Sequence, residues 1–136
     1  MLPARDELPG LLAGLAFGGI FISASGLVLL GLAPTPEIPP DTPVGAFMAA
    51  FGPTGYMTFV KVLELLGGIL VLLPRTRLLG LLVLVPILVN ILAFHQLVAG
   101  DGIFQPMLLA LVALAGFLIW VERRAVAVWL RPRPRV

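Results

Sequence analysis

The chain contains no cysteine. That absence excludes disulfides, thiolate metal sites and a cysteine nucleophile. It also excludes the paired-cysteine chemistry of small membrane thiol oxidoreductases. Histidine is almost as scarce. One His95 cannot supply both axial ligands of a haem within a single chain. No cluster of His, Asp and Glu has the spacing of metal ligands. No glycine-rich loop leads into a helix, so nucleotide binding finds no support. No Ser-His-acid motif is present. Charge is short too: 12% of residues are charged, against about 25% in a soluble domain. Nine basic and seven acidic residues in 136 are too few to solvate the surface of a soluble enzyme. They argue equally against a nucleic-acid-binding domain and a disordered segment.

Apolar residues are abundant instead. They make up 60% of the chain, and the mean hydropathy is +1.09. The expected class is all-α: one integral membrane domain folded as a four-helix bundle. A helix needs about 20 apolar residues to cross the hydrocarbon core. The runs at 10–32, 55–73, 78–99 and 103–121 meet or approach that length. The first exceeds the roughly 7–15 residues of a signal-peptide core and is read as a retained span. Gly10, Gly14 and Gly18 recur every fourth residue, which lines them on one helix face for close packing against another helix.

The stretch 33–54 cannot span. It carries Pro34, Pro36, Pro39, Pro40 and Pro43, and proline removes a helix donor and clashes with the preceding turn. Its second half is different. Val44, Phe47, Met48 and Phe51 follow the i, i+3, i+4, i+7 pattern, so 44–51 is expected to be a short interfacial helix. The end of the chain, 122–136, interleaves Arg123, Arg124, Arg131, Arg133 and Arg135 with Val126, Trp129 and Leu130. It reads as a helical extension on the membrane surface, held by anionic headgroups rather than by nucleic acid.

Basic residues set the expected orientation. Arg5 lies before the first span, Arg75 and Arg77 between the second and third, and five arginines after the fourth. The other two connections hold only Glu37, Asp41 and Asp101. Both termini are therefore expected on the cytoplasmic side, and the ninth basic residue, Lys61, sits inside a span. In that orientation Lys61, Glu64, His95, Ser23, Ser25 and Gln105 fall in the outer half of the bundle, with Asn90 near the middle. The inner half is expected to hold almost no polar group.

Lys61 and Glu64 are three residues apart and share a helix face. A charge in mid-membrane is costly, so such residues pair or line a cavity. Two readings follow: a proton-active pair facing a ligand cavity, or a self-neutralising ion pair that locks helices. Asn90 follows Pro86 by four residues and is read chiefly as a hydrogen bond between helices. His95 is the one side chain whose ordinary pKa suits proton exchange near neutrality. Lys61, Glu64, Asn90, His95 and Ser25 are the candidate ligand-binding residues, and Glu64, His95 and Lys61 the candidate catalytic ones. Gln96, Asp101 and Gln105 are expected to be solvated at the rim.

The segment GYMTFVKVLELLGGILVLLP (55–74), followed by an arginine-bearing turn, resembles the DoxX-like membrane proteins. So do PILVNILAFH (86–95) and FGGIFISASGL (17–27). Lys61, Glu64, Asn90 and His95 match the recurring polar positions of that family. The resemblance implies a four-helix bundle in a prokaryotic plasma membrane, associated with quinol oxidase or thiosulfate-to-quinone electron transfer. It implies quinone as the small lipophilic ligand.

Three functions stay open on the sequence. The chain is an accessory or ligand-binding subunit of a redox partner protein. Or it is a quinone-linked oxidoreductase in which Glu64 and His95 exchange protons. Or it is a structural or transport-like homo-oligomer.

Overall fold

The structure is a computed structural model in which residues 7–131 are described. Arg5, Arg133 and Arg135, which entered the orientation argument, lie outside the described residues. Six α-helices are present, and no strand occurs among the described residues. They are α1 (Leu8–Leu29), α2 (Pro43–Phe51), α3 (Tyr56–Leu72), α4 (Arg77–Phe94), α5 (Pro106–Val121) and α6 (Arg123–Leu130).

Glycine and proline set the boundaries. Gly31 has φ +68°, a left-handed conformation that ends α1. The Leu32 amide then donates to the Leu27 carbonyl (2.8 Å) and the Gly31 amide to Val28 (3.1 Å), which closes the last turn. Thr42 caps α2, its hydroxyl accepting from the Gly45 amide (3.1 Å), with Pro43 in the first turn. Gly55, at φ +78°, separates a short 3-10 turn (Gly52–Thr54) from α3. α4 passes into a single π-helical turn, His95–Ala99, which Gly100 ends at φ +72°.

The expected span 103–121 starts later, at Pro106. Gly100 and Gly102 both have positive φ, and proline is suited to the first helical turn, so 100–105 is a loop. The expected surface helix 44–51 is present as α2. The tail helix forms as α6, bent 65° from α5. α2 and its 3-10 turn are bent 83° from α3.

Two helices are long and apolar enough to cross a membrane: α1, and α4 with its π turn. The number rises to four if each bent pair is one span. α3 has 17 residues and α5 has 16. At 1.5 Å per residue they are about 24–26 Å long, a little under a typical hydrocarbon core.

α1, α3, α4 and α5 share one core. Phe17 and Phe21 of α1, Val71 of α3, Leu81, Leu84 and Leu88 of α4, and Leu111, Ala115 and Leu118 of α5 are all buried in it. Gly14 meets Val71 and Gly18 meets Gly68, so α1 and α3 run antiparallel. Gly80 meets Val71 and Gly67 meets Leu84, so α3 and α4 also run antiparallel. The outer faces are as apolar as the core. Leu12, Leu15, Phe59, Leu66, Leu82 and Val89 all stand exposed. A soluble monomer rarely exposes apolar surface so widely, whereas lipid accepts it.

Candidate functional site

α3 turns one face inward, and that face is Glu64, Gly67, Gly68 and Val71. The spacing i, i+3, i+4, i+7 is one helical stripe. Two of its members are glycines because neighbours crowd it from both sides, α1 at Gly68 and Leu84 of α4 at Gly67. A Cβ on Gly18 would stand 2.7 Å from the Gly68 carbonyl oxygen. Glu64 continues this stripe and is therefore sealed, 2% exposed.

Lys61 neutralises it. The ammonium donates to both carboxylate oxygens, at 3.0 Å to Oε1 and 2.8 Å to Oε2. The two ends of the pair differ in access, because the Lys61 side chain is 20% exposed. An ammonium carries three donors and Glu64 takes two. The pair thus keeps one N–H available on its accessible member.

Ser25 is fully buried on α1, and its hydroxyl donates to the Phe21 carbonyl (2.5 Å). Its donor is spent within its own helix, and its oxygen remains an acceptor. Continuing the antiparallel register from Gly14–Val71 and Gly18–Gly68 brings Ser25 to the level of Lys61. Ser23 is exposed and bonded to Gly19.

His95 belongs to a separate cluster. Its Nδ1 donates to Asp101 Oδ1 at 2.9 Å. The Gln105 amide nitrogen stands 3.4 Å from the same ring nitrogen. The hydrogen bond from His95 holds the Asp101 carboxyl below its ordinary value, against a weaker desolvation effect, with Gln105 adding a still smaller lowering. Asp101 is thus a partner of His95, with Gln105 beside the pair, rather than a merely solvated rim residue. No hydrogen bond joins His95 to Glu64 among the described residues. Phe94 and Phe47, 5.2 Å apart between ring centroids, pack α2 beside this turn.

Asn90 stands apart from both clusters. It is exposed, with no hydrogen bond to another helix among the described residues. The helical phase explains this. The buried positions of α4 include Leu81, Leu84 and Leu88, and Asn90 is two residues, about 200°, past the last of them.

No family model, curated protein or solved structure matches this chain.

Polar groups also gather at the other end of the bundle, where α3 ends and α4 begins. Arg77 is 4% exposed and pairs with Glu122 at 3.3 Å. Its Nε donates to the Val71 carbonyl (3.4 Å), and Thr76 donates to Leu70 (2.8 Å), so both serve the last turn of α3. Nη2 is buried without a partner. Gly10 and Gly14 leave the space that the guanidinium fills: their Cβ positions lie 3.5 and 3.3 Å from its nitrogens. Only Gly18 of the three glycines meets another helix's backbone at less than 3 Å. Sequence reasoning placed Arg77 in a basic connection. A signal was present: Arg77, Leu81, Leu84 and Leu88 fall on one helical stripe.

Proposed function

We propose that this chain is a four-span membrane protein of the DoxX-like type. In this reading α1, α3, α4 with its π turn, and α5 each cross the bilayer. Both termini lie on the cytoplasmic side of a prokaryotic plasma membrane. α2 and α6 leave their spans at 83° and 65° and lie along the two surfaces. The shortness of α3 and α5 is met by local thinning of the bilayer, at fractions of a kcal/mol per Å.

The protein acts as an accessory subunit that binds a small lipophilic carbonyl compound, a quinone, for a redox partner. The observation that carries this is the Lys61–Glu64 pair. A sealed carboxylate fixes an ammonium that is partly accessible and has one donor to spare. A quinone oxygen is a matching acceptor, and the surrounding helices are apolar. Binding is favoured over proton exchange between Glu64 and His95, because each of these has its own partner.

The test is equilibrium binding of a short-chain benzoquinone to the reconstituted protein. Saturable binding is expected in the parent. It should be lost in the double variant Lys61→Met/Glu64→Gln, which removes the pair without stranding either charge. Helix content and melting temperature report that this variant is folded. Undiminished binding by the folded double variant would refute the site.

A further inference from the structure

The cytoplasmic end of the molecule holds a feature that ligand binding at Lys61 does not use. The Arg77–Glu122 ion pair ties the start of α4 to the corner between α5 and α6. Beside that tie lies an apolar groove of about 260 Å³. Leu78, Leu82, Val85 and Pro86 line it from α4, Ile119 from α5 and Val126 from α6. The α6 side of this groove is cationic. Val126 follows Arg123 by three residues, so the two share a face of α6, and Leu78 follows Arg75 by three. Both arginines are exposed, and neither is in an ion pair among the described residues. Arg123 lies over the Trp120 ring at 4.3 Å and donates to the Trp120 carbonyl (2.8 Å). Glu122, between Val121 and Arg123, is engaged by Arg77, so it does not offset this charge.

An apolar slot that ends in unbalanced positive charge matches an amphiphile with a hydrocarbon tail and an anionic head. We propose that the groove is a binding site for one anionic phospholipid. An acyl chain lies between α4 and α5, and the phosphate rests on Arg123. The site rests on the membrane placement proposed above and is independent of quinone binding. Neighbouring lipid is as apolar as the groove, so the groove gives position rather than driving force. Selectivity comes from Arg123, at about fivefold per engaged side chain.

The molecule carries its own reporters, since its two tryptophans, Trp120 and Trp129, both lie at this end. The full chain is reconstituted in phosphatidylcholine vesicles that contain a small fraction of lipid with brominated acyl chains, which quench tryptophan on contact. Brominated phosphatidylglycerol should quench more than the same fraction of brominated phosphatidylcholine. Arg123→Gln should remove most of the excess, whereas Arg124→Gln, on the other face of α6, should not. Val85→Phe fills the groove without changing charge and should also reduce it. Val126→Phe replaces it if that variant does not fold. Equal quenching by the two lipids overturns the proposal. An excess that persists in the folded groove-filling variant overturns it too, because it marks diffuse attraction to surface arginines. Protein that fails to float with the vesicles overturns the membrane placement and this site with it.

Discussion

Replacing Lys61 by methionine strands the Glu64 carboxylate in an apolar interior. Breaking one side of a buried pair costs about 3–5 kcal/mol. Replacing Glu64 by glutamine costs less, because Lys61 is already one-fifth exposed and its long stem can carry the charge outward. Thermal unfolding in detergent should therefore rank Lys61→Met below Glu64→Gln, with the double variant above both. Equal losses from the two single variants would contradict the asymmetric burial. In the loop between α4 and α5, Asp101 should titrate below its ordinary 3.8. A carboxyl held low favours the folded loop above its ordinary value, and that contribution is lost as pH falls through the lowered one. Carboxyl carbon NMR should show the titration moving up in His95→Ala, the larger cause, and less in Gln105→Ala. The Lys61–Glu64 pair was legible in the sequence because both members lie within one turn of one apolar run. The Arg77–Glu122 pair was not. Its members are 45 residues apart, and only helix packing joins them. Arg75 and Arg77 look alike in sequence, yet one is exposed and the other sealed.

The seam between α1 and α3 depends on glycine at one contact above all. A Cβ on Gly18 would meet the Gly68 carbonyl, a backbone atom that moves only if a helix moves. Neighbouring Gly19 has nothing within 4 Å of its Cβ position. Gly18→Ala should destabilise by about 1–3 kcal/mol, in the range of overpacking. Gly19→Ala should be neutral or mildly stabilising, since alanine is the better helix former. Melting temperatures of the two variants decide this, and equal values would refute the close approach. The every-fourth-residue glycines announced a packing face. They did not announce that Gly10 and Gly14 make room for an arginine, because that depends on where α4 begins. Helix ends at Gly31, Gly55 and Pro106 follow from residues visible in the sequence. The π turn at His95–Ala99 does not, since nothing in its composition distinguishes it from continued α-helix.

Over the whole molecule, apolar surface outside and inside makes the bilayer the natural solvent, while orientation rests on charge alone. Among the described residues, Arg75, Arg77, Arg123, Arg124 and Arg131 gather toward one end, and Glu37, Asp41 and Asp101 lie in the connections assigned to the other. The Arg77–Glu122 pair supports this grouping, because it brings the α3–α4 turn and the α5–α6 corner together in space. That contact requires the two to share a side, whichever side it is. The lack of cysteine makes the test clean, because any introduced thiol is the only one. Glu37→Cys and Phe104→Cys, both at exposed positions, should react with a membrane-impermeant maleimide in intact cells. Arg75→Cys and Leu130→Cys, equally exposed, should react only after the membrane is opened. Labelling of Arg75→Cys together with Glu37→Cys in intact cells would mean that α3 does not cross. α1 and α4 are each long and apolar enough to cross as single helices, and the Arg77–Glu122 contact would then require α5 to cross as well, leaving three crossings with α3 on the surface. The buried Lys61–Glu64 pair argues for the four-span outcome. Its sealed position comes from α3 lying against α1 along most of its length, and α1 is long and apolar enough to cross.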